Sequence, residues 1–394
     1  MNMIYDFDKV IPRKHTNSLK FDFAAERGRP ADILPLWVAD MDFQAPREVI
    51  DALVEKSRHG IFGYSEPDKE YFSAISDWFR TQHGWNIDPR HIVRTPGVVF
   101  SLCTLIRTVT RPGEAVLIQE PVYYPFRRSI RDNQRKLVVS ELVFEKGKYR
   151  MDFADFERKI IDSQVKLFLL CSPHNPVGRV WTKEELAEIG RICVRHGVFV
   201  AADEIHQDFI YPGYRHTVFS EIDSSFREIS ALCTAPSKTF NLAGLHISNT
   251  FIADPKIRQE FKDELDRAGY SQSNIMGLIA CQAAYRHGAS WLGQLKDYLT
   301  GNLNYFRDFL EMRLPELKLV EPEGTYLVWV DFSALGMSVP ELENFVVRKA
   351  SLWLDGGHIF GKSGCGFQRF NIACPRAILR QALEQLESAV RSRN

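Results

Sequence analysis

Five residues of this chain stand where short apolar runs break into turns, and their types suit one another chemically. Gly97 follows HIVRT (91–95), Tyr123 follows AVLIQE (115–120), and Asn175 follows VKLFLLC (165–171) within SPHNPVGR. Asp203 closes VFVAAD (198–203), and Lys238 sits in APSKT after SALCT (230–234). A carboxylate ending a wholly apolar run is costly unless a cation or donor faces it. An amine in a desolvated turn loses basicity, which makes Lys238 a candidate nucleophile. Gly97, with Val98 and Val99 opening a helix behind it, offers free N–H groups to an anion such as phosphate. Tyr123 supplies a flat apolar face, and Asn175 an amide that can donate to a phenolic oxygen. Singly, each has an ordinary explanation in turn chemistry. Together they are the parts needed to hold pyridoxal phosphate, which requires an imine to lysine and a ring nitrogen kept protonated by a carboxylate. No GxGxxG or Walker A sequence competes for the same strands.

These residues need a scaffold that brings five turns to one edge. From about residue 90 to 250, β-branched runs alternate with helical periods, such as VVFSLCTLIRTV (98–109) with apolar residues at 98, 102, 105, 106 and 109. Thr182 and Glu185 form a capping-box pattern opening TKEELAEIGRICVRH, and Gly197 stops it. Alternation of this kind predicts an open, mainly parallel α/β sheet, whose ligands bind at the carboxyl ends of the strands. The later part reads as a smaller α+β unit, with strands in EGTYLVWVDF (323–332) and GFQRFNIA (366–373). A helix from Arg376 puts Ile378, Leu379, Ala382, Leu383, Leu386 and Val390 on one face. The expected division is a large domain over 48–288 and a small domain from 1–47 and 289–394.

Composition narrows the function classes. The 394 residues are 45% apolar and 25% charged, which is globular. Fifty basic and fifty acidic side chains cancel, giving no electrostatic reason for nucleic acid or an anionic membrane as partner. The start, MNMIYDFDKVIPRK, lacks the apolar region of a secretory signal, and no long apolar run reads as a membrane span. A soluble, cytoplasmic protein is expected. Seven scattered cysteines with no CxxC pair argue against a disulfide framework or a zinc site, so they are expected in the core and no metal is expected.

With these motifs in order, the chain resembles the type I fold of pyridoxal-phosphate enzymes, the aspartate aminotransferase superfamily. NPxG, Asp203 and Ser237-Lys238 match its order and approximate spacing. The likeness is greater to one branch, the MalY/PatB-like C–S lyases that include cystathionine β-lyases and cystalysin. It is carried by LWVADMDF (36–43), FGYSEP (62–67), TPGVV (95–99), EPVYYPF (120–126), SPHNPVGRVW (172–181), ADEIHQDFIYPGYRHTVF (202–219), TAPSKTFNLAGL (234–245) and GFQRFNIACP (366–375), nearly the whole chain.

The resemblance implies roles residue by residue. Lys238 would carry the cofactor and move protons at the substrate α-carbon, Asp203 would face the pyridinium nitrogen, Asn175 would donate to O3′, and Tyr123 would stack and act in catalysis. Gly97, Val98 and Val99 would cradle the phosphate, with Ser237 and His206 as further cofactor contacts. Tyr64 would reach the phosphate of a neighbouring subunit, which implies a homodimer. Arg369 would grip the substrate α-carboxylate with its guanidinium fork, although by pattern alone it reads as a surface strand residue. Tyr124 and Ala39 would be further substrate contacts. Two positions depart from the aminotransferase pattern and fit the lyase branch: His246 stands where those enzymes commonly carry a phosphate-binding arginine, and His206 where many use tyrosine. Both Ser172-Pro173 and Asn175-Pro176 are candidates for cis peptides.

The implied reaction is α,β-elimination from cystathionine or other cysteine S-conjugates, giving pyruvate, ammonia and a thiol. The alternative is an aminotransferase passing its amino group to a 2-oxo acid. A pyridoxal-phosphate-binding regulator would carry an added helix-turn-helix domain, which is not expected because the family motifs begin near Leu36.

Overall fold

The computed structural model describes residues 3–393; the outermost residues of the expected small domain, Met1, Asn2 and Asn394, lie outside them. Seven strands form the main sheet: β1 (Ile92–Thr95), β2 (Ala115–Glu120), β3 (Lys136–Glu141), β4 (Leu167–Cys171), β5 (Phe199–Asp203), β6 (Ser230–Thr234) and β7 (Ser248–Ile252). Their spatial order is β1-β7-β6-β5-β4-β2-β3, and every neighbouring pair is parallel except the two made by β7. Strands β2, β4, β5 and β6 are buried along their length, as expected where helices cover both faces of a sheet. This is the aspartate aminotransferase-like α/β fold.

One strand of this sheet is mostly polar. β7 reads Ser-Asn-Thr-Phe-Ile, and its polar side chains are buried but satisfied. Ser248 and Thr250 join a hydroxyl cluster with Thr95 and Ser101, and Asn249 accepts from the Tyr71 hydroxyl at 2.8 Å. β3 lies at the sheet edge, where only half its residues need be apolar.

A second sheet of β8 (Lys318–Val320), β9 (Leu327–Asp331), β10 (Asp355–Gly356) and β11 (Phe367–Asn371) is antiparallel, in the order β8-β9-β11-β10. The N-terminal segment joins the C-terminal region through a parallel pairing of Leu34–Pro35 with Leu352–Trp353, over which Trp37 and Trp353 stack at 4.5 Å. The helix Arg376–Arg391 buries Leu379, Ala382, Leu383, Leu386 and Val390 as its periodicity predicts.

Local signals hold at the turns. The Thr182–Glu185 capping box is present, and Gly197 ends its helix in the left-handed region at φ 63°. Both expected cis peptides occur, with a third at Glu120-Pro121. The core expectation for cysteine holds at Cys171, Cys193, Cys233, Cys281 and Cys374, but Cys365 is exposed and Cys103 half-buried. Cys365 sits in a glycine-flanked turn, away from any apolar run. No helix among the described residues is long and apolar enough to cross a membrane.

Candidate active site

The carboxyl ends of the parallel strands open into a cavity of about 520 Å³. Ten of the residues singled out above line it: Ala39, Gly97, Val98, Val99, Tyr123, Asn175, Asp203, His206, Ser237 and Lys238. The turns after these strands thus meet because the strands lie side by side in one sheet, and Ala39 joins them from the N-terminal segment.

Lys238 sits on the short helix Pro236–Thr239 directly after β6. Its Nζ donates to the Ala39 carbonyl at 2.9 Å. Burial lowers the amine to about 8, opposed by Asp40 and Asp203 and assisted by Arg369. Asp203, the last residue of β5, is pushed up to about 7 by burial, while the Ile205 N–H at 3.2 Å and Lys238 pull it back. A carboxyl in that state gains most from a cationic N–H placed against it.

The same cavity also offers groups suited to an anion. The helix Val98–Val109 has no side-chain cap at Gly97, so its first N–H groups are left without intrahelical partners. A Cβ added at Gly97 would meet no protein atom within 4 Å, so the space before that helix belongs to the cavity. Asn175, also lining the cavity, accepts from Arg369 Nη1 on its Oδ1 at 2.9 Å, which leaves both amide hydrogens for a ligand oxygen. Its loop is set by Gly178, at φ 71°, where a side chain would press on Pro322 at 2.9 Å. The following Arg179 is buried between Glu323 and Glu185, at 2.8 Å from each.

Tyr123 lines the wall with its ring 5.5 Å from Tyr124, and burial raises its hydroxyl well above the usual tyrosine range, so it stays protonated. His206 is buried and held neutral by desolvation, and its Nδ1 has no partner. These features fit pyridoxal phosphate: an uncapped helix N-terminus for the phosphate, a free amide and an unpartnered imidazole nitrogen along the ring, Asp203 for its nitrogen and Lys238 for its aldehyde.

Arg369 is not the surface residue its pattern suggested. It sits mid-strand in β11, 2% exposed, flanked in register by Asp355 of β10 and Trp329 of β9. It pairs with Asp355, donates to the Trp37 carbonyl at 2.8 Å, and lies over the Phe360 ring at 4.9 Å, with Nε unpartnered. Tyr124 packs edge-on to Phe360 at 5.9 Å with its outer side exposed. Tyr64 is not brought to this cavity: it is 94% exposed, beside exposed Ile61 and Phe62. His246 lines the cavity and also a second one of about 610 Å³ on the far side of Ala39.

The segment Trp37–Phe43, whose LWVADMDF motif helped carry the resemblance and whose Ala39 was an expected substrate contact, forms a strap between the two cavities; its hydrogen bonding is what sequence reasoning missed. Besides the Trp37 and Ala39 contacts, its Val38 and Asp40 carbonyls accept from Asn371 at 2.6 Å, and its Met41 and Phe43 carbonyls from Asn241 at 2.9 Å. From outside, Arg13 reaches Asp40 at 2.6 Å and Asp42 at 2.7 Å, while wholly buried Lys20 grips Asp42 at 2.9 Å. Asp355 was legible by the argument used for Asp203, since it too is a carboxylate closing an apolar run, SLWLD.

The model of the class I and II aminotransferases matches residues 31–386. Cystathionine beta-lyase PatB of Bacillus subtilis is 41% identical over 98% of this chain and 100% of its own. Protein MalY of Escherichia coli is 36% identical over 99% and 100%. In structure, cystalysin of Treponema denticola, which contains pyridoxal 5′-phosphate, is similar with a TM-score of 0.96 at 39% identity, covering all of both chains. An aspartate aminotransferase of Pyrococcus abyssi is similar at 25% identity over 95% of each chain.

Proposed function

The chain belongs to the class I and II aminotransferase family, and within that family we propose that it is a pyridoxal-phosphate-dependent carbon–sulfur β-lyase. Its substrate is a small amino acid, a cysteine thioether such as cystathionine, cleaved by α,β-elimination to pyruvate, ammonia and a thiol. The observation that carries the reading is the full-length likeness to PatB. The cavity supplies residues suited to each task.

Bound pyridoxal phosphate supplies an aldehyde that condenses with amines and a ring that accepts the electron pair left at the substrate α-carbon. Val98 and Val99 would hold its phosphate through their N–H groups, with Ser237 as a further contact. Asp203 would keep the proton on the ring nitrogen, Asn175 would donate to the phenolic oxygen, and Tyr123 and His206 would be the ring's neighbours. Arg369 binds the substrate carboxylate and so fixes which α-substituent points at Lys238. Lys238, its basicity reduced by burial, is the base that removes the α-proton. Tyr123 stays protonated, so its part in proton traffic is that of a donor.

An aminotransferase would share α-proton removal and then require a 2-oxo acid to complete its cycle. Cystathionine supplied without any 2-oxo acid is expected to give sustained pyruvate formation, with cystine, cysteine and alkyl-cysteines compared in the same assay. A single stoichiometric turnover that then stalls would replace the lyase by the transferase.

The exposed Ile61–Phe62–Tyr64 run supports a homodimer in which Tyr64 serves the neighbouring site's phosphate. Dilution to monomers, followed by sedimentation, is expected to abolish activity; fully active monomers would remove Tyr64 from that role.

A further inference from the structure

The Ala39 carbonyl is shared. It accepts from Lys238 Nζ at 2.9 Å and from the Tyr326 hydroxyl, also at 2.9 Å. We propose that Tyr326 is a positioning residue for Lys238, acting through the Ala39 carbonyl that both side chains use. This rests on the reading of Lys238 as the reacting amine.

Tyr326 has little freedom to do anything else. The residue is wholly buried, and its ring is clamped near-perpendicular by Phe209, with centroids 4.9 Å apart, and by His206 at 5.8 Å. Burial holds the phenol far above its ordinary range, so the hydroxyl remains a donor across the working pH range. The residue before it is strained. Thr325 is β-branched yet sits at φ 68°, in the left-handed region that such side chains avoid. Its N–H is tied to the Phe209 carbonyl at 2.8 Å, and its hydroxyl bonds the Leu327 backbone at 3.1 Å. Strain of this kind persists where surroundings over-determine it and clusters at functional sites. Here it aims the phenol at the strap.

A buried tyrosine needs an acceptor in any case. What distinguishes this acceptor is that it also carries the amine. A carbonyl has two lone pairs, and the tyrosine takes one. Donation from the phenol weakens the hold of the same oxygen on an ammonium group, so it favours neutral Lys238. The other charged and titratable groups around the amine are Asp203 at the end of β5, Asp40 on the strap, Arg369 on β11, His206 after β5, and Tyr123 and His246, which line the same cavity. Removing one hydroxyl from Tyr326 leaves all six in place.

The test uses the full-length chain freed of cofactor, labelled briefly with acetic anhydride over a pH series. Mass spectrometry of the peptide carrying Lys238 then gives its rate of acylation. The wild-type rate is expected to rise with a midpoint near about 8. In Tyr326→Phe the midpoint is expected to move up by about half a pH unit, slowing labelling at neutral pH about threefold. Difluorotyrosine in place of Tyr326, a stronger donor, is expected to move it down. If both profiles overlay the wild type, with or without a lowered unfolding temperature, Tyr326 only fills the core and the proposal is overturned. Should Tyr326→Phe fail to fold, the fluorinated protein decides alone: an unmoved midpoint overturns the proposal. No thioether enters this assay, so a moved midpoint together with absent pyruvate formation would defeat the lyase reading and leave the tyrosine's role standing.

Discussion

Lys238→Ala is expected to reduce pyruvate formation from cystathionine by at least about 10⁴-fold while the protein stays folded. A positioned proton-transfer group contributes about 10² to 10⁴ in rate, and here the same amine also bonds the cofactor, so both contributions are lost together. Two readouts check this: turnover, and the visible absorption band of the lysine-linked cofactor, which is expected to vanish. The fold is expected to survive because the helix Pro236–Thr239 is anchored elsewhere, by the Thr239 hydroxyl on Asp208 at 2.6 Å. A folded variant that still formed pyruvate at a tenth of the wild-type rate would show that another group moves the α-proton.

The second large effect is at Arg369. Replacement by alanine removes the carboxylate clamp and also leaves Asp355 buried without its cation, at a stability cost of about 3–5 kcal/mol. The two losses can be separated. Arg369→Ala combined with Asp355→Asn removes the stranded charge, so the double variant is expected to recover most of the unfolding temperature. It is not expected to recover substrate recognition. Loss of a charge-assisted, two-point contact is expected to lower kcat/KM by about 10²-fold or more, chiefly through KM. If the stabilised double variant kept wild-type KM for cystathionine, Arg369 would be a structural residue of the small sheet and the carboxylate would bind elsewhere.

These two residues also mark the reach of the sequence. Lys238, Asp203 and Asn175 were legible because each breaks an apolar run, and a polar group in that position needs a reason. The strands that bring them together announced themselves as short, nearly unbroken apolar runs, the mark of strands buried on both faces. Arg369 was legible only through family resemblance. Its burial comes from lying between Asp355 and Trp329 in the sheet, and that pairing has no signature along the chain. β7 escaped for the opposite reason, since its Ser248, Asn249 and Thr250 look like loop residues until their partners on β1 and neighbouring helices are known. The strap was legible only as a family motif, and how it is gripped was not, because it works through backbone carbonyls, which every residue type possesses. Tyr64 was named from resemblance, and within one chain it touches nothing that would explain it.

The strap has a consequence for how the enzyme is born. A ribosome delivers residue 40 before the groups that grip Trp37–Phe43, which arrive with Asn241, Tyr326, Arg369 and finally Asn371. A nascent chain therefore holds no finished amine pocket, and a polypeptide cut short before β11 cannot make one.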